Sequence, residues 1–221
     1  MTPESAESEQ ENSRVDLYLL FSMLFLILAH PALDEVFWGR IVLGLLTFVP
    51  LVVALVRMSG RTELVWPFGV LLAVAFVCAL VHYFTGNHWA HALQWALLSL
   101  SCGIAVYGLF GYLQKAVRVS AGHLYTAGSI YLLLILFFFC LYTTVSELMP
   151  GSFEKTSGGS TSQAVDLLYF SMVTLTTVGY GDIVPVRGLV RMLAGLEAAV
   201  GVLYVAITVA ILVSGYKAKA R

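Results

Sequence analysis

The chain has 221 residues, of which 59% are hydrophobic and 11% are charged, and its net charge is −1. Soluble globular proteins carry about 25% charged residues, so this chain has too few charges to cover a surface that faces water. We therefore expect a multi-pass membrane protein in contact with lipid. The small net charge argues against a nucleic-acid partner. At roughly 20 apolar residues for each crossing, there is no room for a large domain outside the membrane.

Residues 1–14 contain four Glu and no apolar cluster, which predicts a disordered acidic N-terminus. Beyond this segment, apolar runs predict six membrane-spanning helices, near residues 15–31, 39–57, 64–84, 89–111, 124–146 and 188–215. A further apolar stretch, residues 164–178, is too short to cross the bilayer and is bounded by Gly and Ser. We interpret it as a re-entrant segment between the fifth and sixth helices.

The positions of Lys and Arg predict the orientation of the chain, because these residues are enriched in cytoplasmic loops. With the N-terminus inside, the cytoplasmic set is Arg14, Arg57, Arg61, Lys115, Arg118, Lys217, Lys219 and Arg221, and the outer set is Arg40, Lys155, Arg187 and Arg191. The cytoplasmic set is the larger, so we expect both termini in the cytoplasm. The re-entrant segment then enters from the outer side.

The re-entrant stretch is followed by Thr177-Val178-Gly179-Tyr180-Gly181-Asp182. This stretch resembles the selectivity filter of the potassium channel family, in which carbonyl oxygens of TVGYG loops replace the hydration shell of K⁺. The resemblance covers about residues 124–215. It implies an all-α membrane protein with a pore helix and filter between helices 5 and 6. It also implies that K⁺ binds to the carbonyls of four filter residues, Thr177, Val178, Gly179 and Tyr180.

The glycines of the filter sequence and the short helix before it also fit cation binding on physical grounds. Successive carbonyls that point the same way require alternating left-handed backbone, which Gly179 and Gly181 adopt without a Cβ penalty. A dehydrated cation needs oxygens all round it, whereas one chain supplies one strand, so we expect a four-fold symmetric homotetramer. The short helix at about residues 165–176 directs its partial negative end towards the central cavity, which favours a cation there.

The apolar runs and the resemblance together divide the chain into regions. We expect a four-helix membrane domain at 15–111, a cytoplasmic linker at 112–123, the pore domain at 124–215 and a basic C-terminal tail at 216–221. The resemblance also implies that Asp182 forms a hydrogen bond behind the filter, with the aromatic pair Tyr169 and Phe170 beside it. Val173 stands where some family members have a glutamate.

Two ionisable residues lie in the otherwise apolar last helix, where such groups usually face protein or water. We expect Glu197 to support the filter by bonding to the back of the filter or pore helix near Thr176 and Thr177, with a titratable role in gating as the alternative. We interpret Arg191, near the outer end, as an interfacial charge.

The last helix also carries candidate gating positions. Gly201 is a hinge candidate, since Gly costs about 1 kcal/mol relative to Ala in a helix, and close helix packing is the equal alternative. Val205, Val209 and Val213 share one face and are candidates to line the pore, where a valine ring could close by dewetting. Plain lipid contact is the alternative for this stripe.

The first four helices resemble a voltage sensor in number only. Residues 88–111 contain no Lys or Arg, and Lys115 and Arg118 fall in the predicted linker. Because charge that moves across the membrane makes opening voltage-dependent, we do not expect steep voltage gating. His82, His88 and His91 cluster near the predicted outer loop, and their spacing permits a metal or proton site, although loop histidines are usually incidental.

We accordingly predict a potassium-selective channel in the cell membrane, with a bacterial inner membrane as its expected location. Its predicted partners are K⁺ as the permeant ion, membrane lipid and identical subunits, without another cofactor. The alternatives are a weakly selective cation channel and a regulatory subunit that needs a partner chain to conduct. A potassium transporter subunit would need four pore loops in one chain, and only one is present.

No Ser, Cys or His constellation indicates an enzyme. Cys78, Cys102 and Cys140 lie in apolar runs, as expected of buried thiols.

Overall fold

The computed structural model describes residues 3–34, 39–58, 62–114, 120–156 and 163–217. These ranges contain seven helices and two three-residue strands, which confirms the prediction of an all-α polytopic membrane protein. In chain order they are α1 (Pro3–Asp34), α2 (Gly39–Arg57), α3 (Thr62–Thr85), α4 (His88–Gln114), α5 (Ala121–Leu148), β1 (Phe153–Lys155), α6 (Gln163–Leu175), β2 (Ile183–Pro185) and α7 (Gly188–Lys217).

Five of these helices are long and apolar enough to cross a membrane. Their spanning parts are Ser13–Leu33, Glu63–Thr85, His88–Gln114, Ala121–Leu148 and Gly188–Ser214. The apolar part of α2 found in the described residues, Val42–Arg57, is shorter. The full α2 has 19 residues, or about 28 Å at 1.5 Å per residue, which is close to the thickness of the hydrocarbon core. The sixth crossing therefore stays a prediction.

Two boundaries differ from those expected. The first helix already begins at Pro3, within the segment predicted to be disordered. The physical reason is that Glu and Ala are good helix formers and that acidic residues are favourable near a helix N-terminus. The two ends of the predicted linker at 112–123 are helical, because α4 continues to Gln114 and α5 begins at Ala121. Lys115 and Arg118 lie outside the described residues.

The core is centred on α5. Helices α1 and α4 pack along it, α3 packs on α4, and the short α6 lies against both α5 and α7. Leu98 and Cys102 of α4 and Leu133 and Cys140 of α5 are buried in this core. Helix α5 thus joins the four-helix part of the molecule to the part that carries α6. Cys102 and Cys140 are buried free thiols, as predicted, and Cys78 is half-buried.

A buried ion pair connects α1 with α2. The Arg57 Nε donates to Asp16 Oδ1 over 2.6 Å, and the Asp16 side chain is completely buried. The guanidinium carbon of Arg57 lies 4.2 Å from the centre of the Tyr112 ring, which in turn stacks on His123. This polar group therefore joins four helices, α1, α2, α4 and α5.

The two strands form an antiparallel pair that the sequence did not predict. Phe153 is opposite Pro185, Glu154 is opposite Val184, and Lys155 is opposite Ile183. Strands of three residues are too short to show an alternating pattern in sequence. The pair ties the segment after α5 to the segment between residues 182 and 186, directly behind the Thr-Val-Gly-Tyr-Gly stretch.

Candidate functional site

Helix α6 places the filter sequence at its C-terminal end. The helix has 13 residues, too few to cross a bilayer that requires about 20. Its last turn is closed by three backbone bonds, in which Thr176 N donates to Met172 O, Thr177 N to Thr174 O and Gly179 N to Val173 O. The Thr176 hydroxyl bonds back to Met172 O over 2.7 Å. Thr176 therefore ends α6 and does not reach Glu197.

Alternate residues of the filter sequence have left-handed backbone. The φ angles are 59° at Thr177, 50° at Gly179 and 76° at Gly181. The glycine values agree with the conformation expected from the sequence. Thr177 is a third residue with left-handed backbone, a conformation that is uncommon for a β-branched residue. Residues 176–182 are all exposed in the single chain, with Val178 53% and Tyr180 72% accessible.

Tyr169, Tyr180 and Asp182 come together beside the filter. The rings of Tyr169 and Tyr180 are parallel, with centroids 6.4 Å apart, and the Asp182 carboxylate is near enough to Tyr169 for an electrostatic effect on its hydroxyl. Asp182 Oδ1 also accepts the backbone N–H of Ile183 at 3.1 Å.

Phe170, expected beside Tyr169 at the filter, lies on the other side of α6. It is 5% exposed and packs edge-on against Tyr142 and Phe153, with centroid distances of 5.2 and 5.3 Å. Consecutive residues on a helix point about 100° apart, so the two aromatic residues cannot face the same neighbour. Phe170 supports the pore helix from behind.

Glu197 is fully buried where three helices meet. Its Oε2 accepts the Tyr142 hydroxyl and its Oε1 accepts the Ser171 hydroxyl, each over 2.6 Å. The expectation of a bond to the pore helix is met at Ser171, whereas the expected neighbours Thr176 and Thr177 are not its partners. Ser171 and Tyr142 were missed from the sequence, although each is a polar residue in an apolar segment.

Gly201 lies against the end of α6. A Cβ atom built on it would be 2.0 Å from the carbonyl oxygen of Leu175. This close approach favours the packing interpretation of Gly201 over the hinge. Further along α7, Val205, Val209 and Val213 are 48%, 53% and 48% exposed, and Leu203 on another face is 58% exposed. Exposure in one chain therefore does not distinguish a pore-lining face from a lipid face.

Two of the three outer histidines meet. The rings of His82 and His91 stack with centroids 4.2 Å apart. His91 Nδ1 lies 3.1 Å from Glu147 Oε1, and His91 Nε2 accepts the Trp95 indole N–H at 2.9 Å. His88 lies apart from this pair and packs on Trp89. Within the described ranges, no three His, Cys, Asp or Glu residues are grouped so that they could hold a metal ion.

Comparisons with known proteins match the part of the chain that carries this site. Residues 129–216 match the family described as "Ion channel", which is a family of channels and not of enzymes. The chain is 46% identical over 61 residues to Two-pore potassium channel 1 of Arabidopsis thaliana, a match that covers 27% of this chain and 17% of that protein.

Two further relatives are potassium channels of animals. Potassium voltage-gated channel protein shk-1 of Caenorhabditis elegans is 45% identical over 49 residues, 22% of this chain and 9% of that protein. Potassium voltage-gated channel subfamily KQT member 4 of Homo sapiens is 38% identical over 68 residues, 31% of this chain and 10% of that protein. The chain thus spans only a small part of the length of these relatives. No solved structure matches it significantly.

Proposed function

We propose that this chain forms a potassium-selective channel that conducts K⁺ passively across the membrane, because residues 129–216 match the family described as "Ion channel" and part of the chain is similar to potassium channels. The observation that carries the proposal is the backbone of the filter sequence. Left-handed φ angles at Thr177, Gly179 and Gly181 alternate with ordinary ones, directly after a helix too short to cross the bilayer. This alternation can turn successive carbonyls to one side, where they replace water around a cation.

The filter residues are Thr177, Val178, Gly179, Tyr180 and Gly181, and we assign the K⁺ sites to the carbonyls of the first four. In one chain they form one strand, and residues 176–182 are exposed. Four chains around a common axis surround the ion with oxygens, so the proposed functional unit is a homotetramer. The C-terminal end of α6 adds a partial negative charge that favours a cation next to the filter.

Conduction through such a pore needs no gating charge in the first four helices. Helix α4 contains no Lys or Arg from His88 to Gln114, so it offers no charges to move in the membrane field. We propose a channel without steep voltage dependence, with cytoplasmic termini and a filter that faces the outer side, in a bacterial inner membrane.

The test is K⁺ against Na⁺ flux into liposomes that contain the purified protein alone, with Ba²⁺ as blocker. In Gly179→Ala, every subunit carries a Cβ at a left-handed position, where the cost is about 1–2 kcal/mol per residue. We expect selective K⁺ flux in the parent protein and its loss in this variant. Gly69→Ala is the matched control, because a Cβ at Gly69 meets no atom within 4 Å.

The flux results distinguish the proposed channel from its two alternatives. Equal K⁺ and Na⁺ flux in the parent protein would identify a weakly selective cation channel instead. No flux from correctly folded protein would favour a regulatory subunit that requires a partner chain. Selective flux retained in Gly179→Ala would contradict the assignment of the filter.

A further inference from the structure

A short segment after α5 is fastened to the structure behind the filter. We name residues 153–156 the outer strap. Its first three residues are β1, which pairs with β2. Phe153 packs edge-on against Tyr142 and Phe170, with centroid distances of 5.5 and 5.3 Å. The Lys155 ammonium lies 2.9 Å from the carboxylate of Asp166, in the first turn of α6. The outer strap is thus anchored to both α5 and α6.

The last residue of the outer strap contacts the exit of the filter directly. The Thr156 hydroxyl donates to the carbonyl oxygen of Gly181 at 2.8 Å. The Thr156 backbone N–H donates to the next carbonyl, that of Asp182, at 2.9 Å. One residue therefore fixes two successive peptide groups, and the first of them belongs to a glycine with a φ of 76°.

These bonds set the direction of the Gly181 carbonyl. A carbonyl that accepts the Thr156 hydroxyl is turned towards the outer strap, so the series of carbonyls available to an ion ends at Tyr180. Glycine has no Cβ that restricts its backbone. The orientation of the Gly181 peptide group therefore depends strongly on its hydrogen bonds. Tyr169, the other support at the exit, contacts Tyr180 and Asp182 and not the Gly181 carbonyl.

We propose that Thr156 is a positioning residue for ion selection: its hydroxyl holds the Gly181 carbonyl on the outer strap and so keeps the filter exit in its conducting form. This inference rests on the proposed channel function. It assigns a role in selectivity to a residue that lies 25 positions away from Gly181 in sequence, outside the pore helix and the filter.

The test compares Thr156→Val with Thr156→Ser in the liposome flux assay. Valine keeps the β-branched shape and the backbone N–H but lacks the hydroxyl donor, and serine keeps the donor. We expect Thr156→Val to lower the K⁺/Na⁺ permeability ratio about tenfold, in line with the loss of a hydrogen bond in the filter, and we expect Thr156→Ser to retain it. Thr143→Val is the matched control, because the Thr143 hydroxyl bonds to Phe139 O within its own helix.

The parent protein, measured first, separates the two proposals. Absence of K⁺-selective flux in the parent would contradict the channel function itself. A selective parent together with unchanged selectivity in Thr156→Val would overturn the role of Thr156 alone. If Thr156→Val does not assemble, Thr156→Ala removes the same hydroxyl with a smaller side chain. We expect it to lower the ratio too, and an unchanged ratio in Thr156→Ala would overturn the proposal.

Discussion

Glu197 is a fully buried carboxylate in a membrane-spanning helix, and both of its oxygens accept a short hydrogen bond. A buried polar group without partners costs free energy, so the hydroxyls of Tyr142 and Ser171 are what make this residue tolerable. The same two bonds tie α7 to α5 and to the pore helix. Glu197 therefore helps to fix the position of α6, and in the proposed channel also the position of the filter.

We predict that Glu197→Gln lowers the stability of the protein by about 1–3 kcal/mol, because the amide keeps one acceptor oxygen where the carboxylate has two, so Tyr142 or Ser171 loses its short bond to this side chain. The measurement is the melting temperature of the purified protein in detergent, with K⁺ flux in liposomes as a second readout. Glu63→Gln, at an exposed position of α3, is the control. Equal melting temperatures for Glu197→Gln and the parent would contradict a supporting role for Glu197.

The sequence identifies Glu197 because an ionisable residue in an apolar run is conspicuous. It does not identify the partners, since Ser171 and Tyr142 are 26 and 55 residues away. Which polar residues meet depends on how far each helix is rotated about its axis, and an apolar segment without a polar face does not specify that rotation. The same reason accounts for Phe170, which is adjacent to Tyr169 in sequence but packs on a different face of α6.

Helices α6 and α7 are in close backbone contact at Gly201. The carbonyl of Leu175 occupies the space that a Cβ would fill, and this carbonyl belongs to the last residue of the pore helix. The end of the pore helix and the start of the filter are thus held against the middle of α7.

We predict that Gly201→Ala destabilises the protein by about 1–3 kcal/mol and reduces K⁺ flux, because the added methyl group forces the two backbones apart. Gly195→Ala is the control in the same helix, where a Cβ meets no atom within 4 Å. Melting temperature and flux are measured on both variants. A hinge would behave differently, since alanine would then stiffen α7 and change opening while the melting temperature stayed the same or rose.

The sequence predicts the elements that have a strong hydropathy pattern. The apolar runs locate every long helix, and the bounds of α2 agree with the predicted 39–57. The start of α1 is missed because polar residues such as Glu and Gln form helices without an apolar signature. The β1 and β2 strands are missed because their pairing depends on the return of the chain after the filter, and not on a pattern in three residues.

At the scale of the whole molecule, the proposed homotetramer places its pore axis outside any single chain. Val205, Val209 and Val213 line up on α7, yet other faces of the helix are equally accessible. Assembly decides which face meets water, which faces lipid and which contacts a neighbouring subunit. Composition and hydropathy describe only how apolar these faces are, so the sequence cannot separate them.

We predict that Val209→Cys reacts with a charged, water-soluble thiol reagent and that the reaction reduces K⁺ flux, whereas Leu203→Cys does not react. Such a reagent reaches a water-filled pore but not the hydrocarbon core. The half-buried Cys78 is replaced by Ser beforehand, and the buried Cys102 and Cys140 are kept. Labelling is measured by mass spectrometry and flux in liposomes. Equal labelling at both positions would contradict the pore-lining assignment.

The ion pair between Asp16 and Arg57 has a consequence for how the protein is made. The two residues are 41 positions apart, so Asp16 leaves the ribosome well before its partner. A carboxylate without a counter-charge is costly in a nascent membrane helix, so we expect α1 to insert poorly until Arg57 is in place. With the second crossing as predicted, α1 and α2 would then enter the bilayer together as a hairpin, and a chain without residues 39–57 would insert α1 poorly.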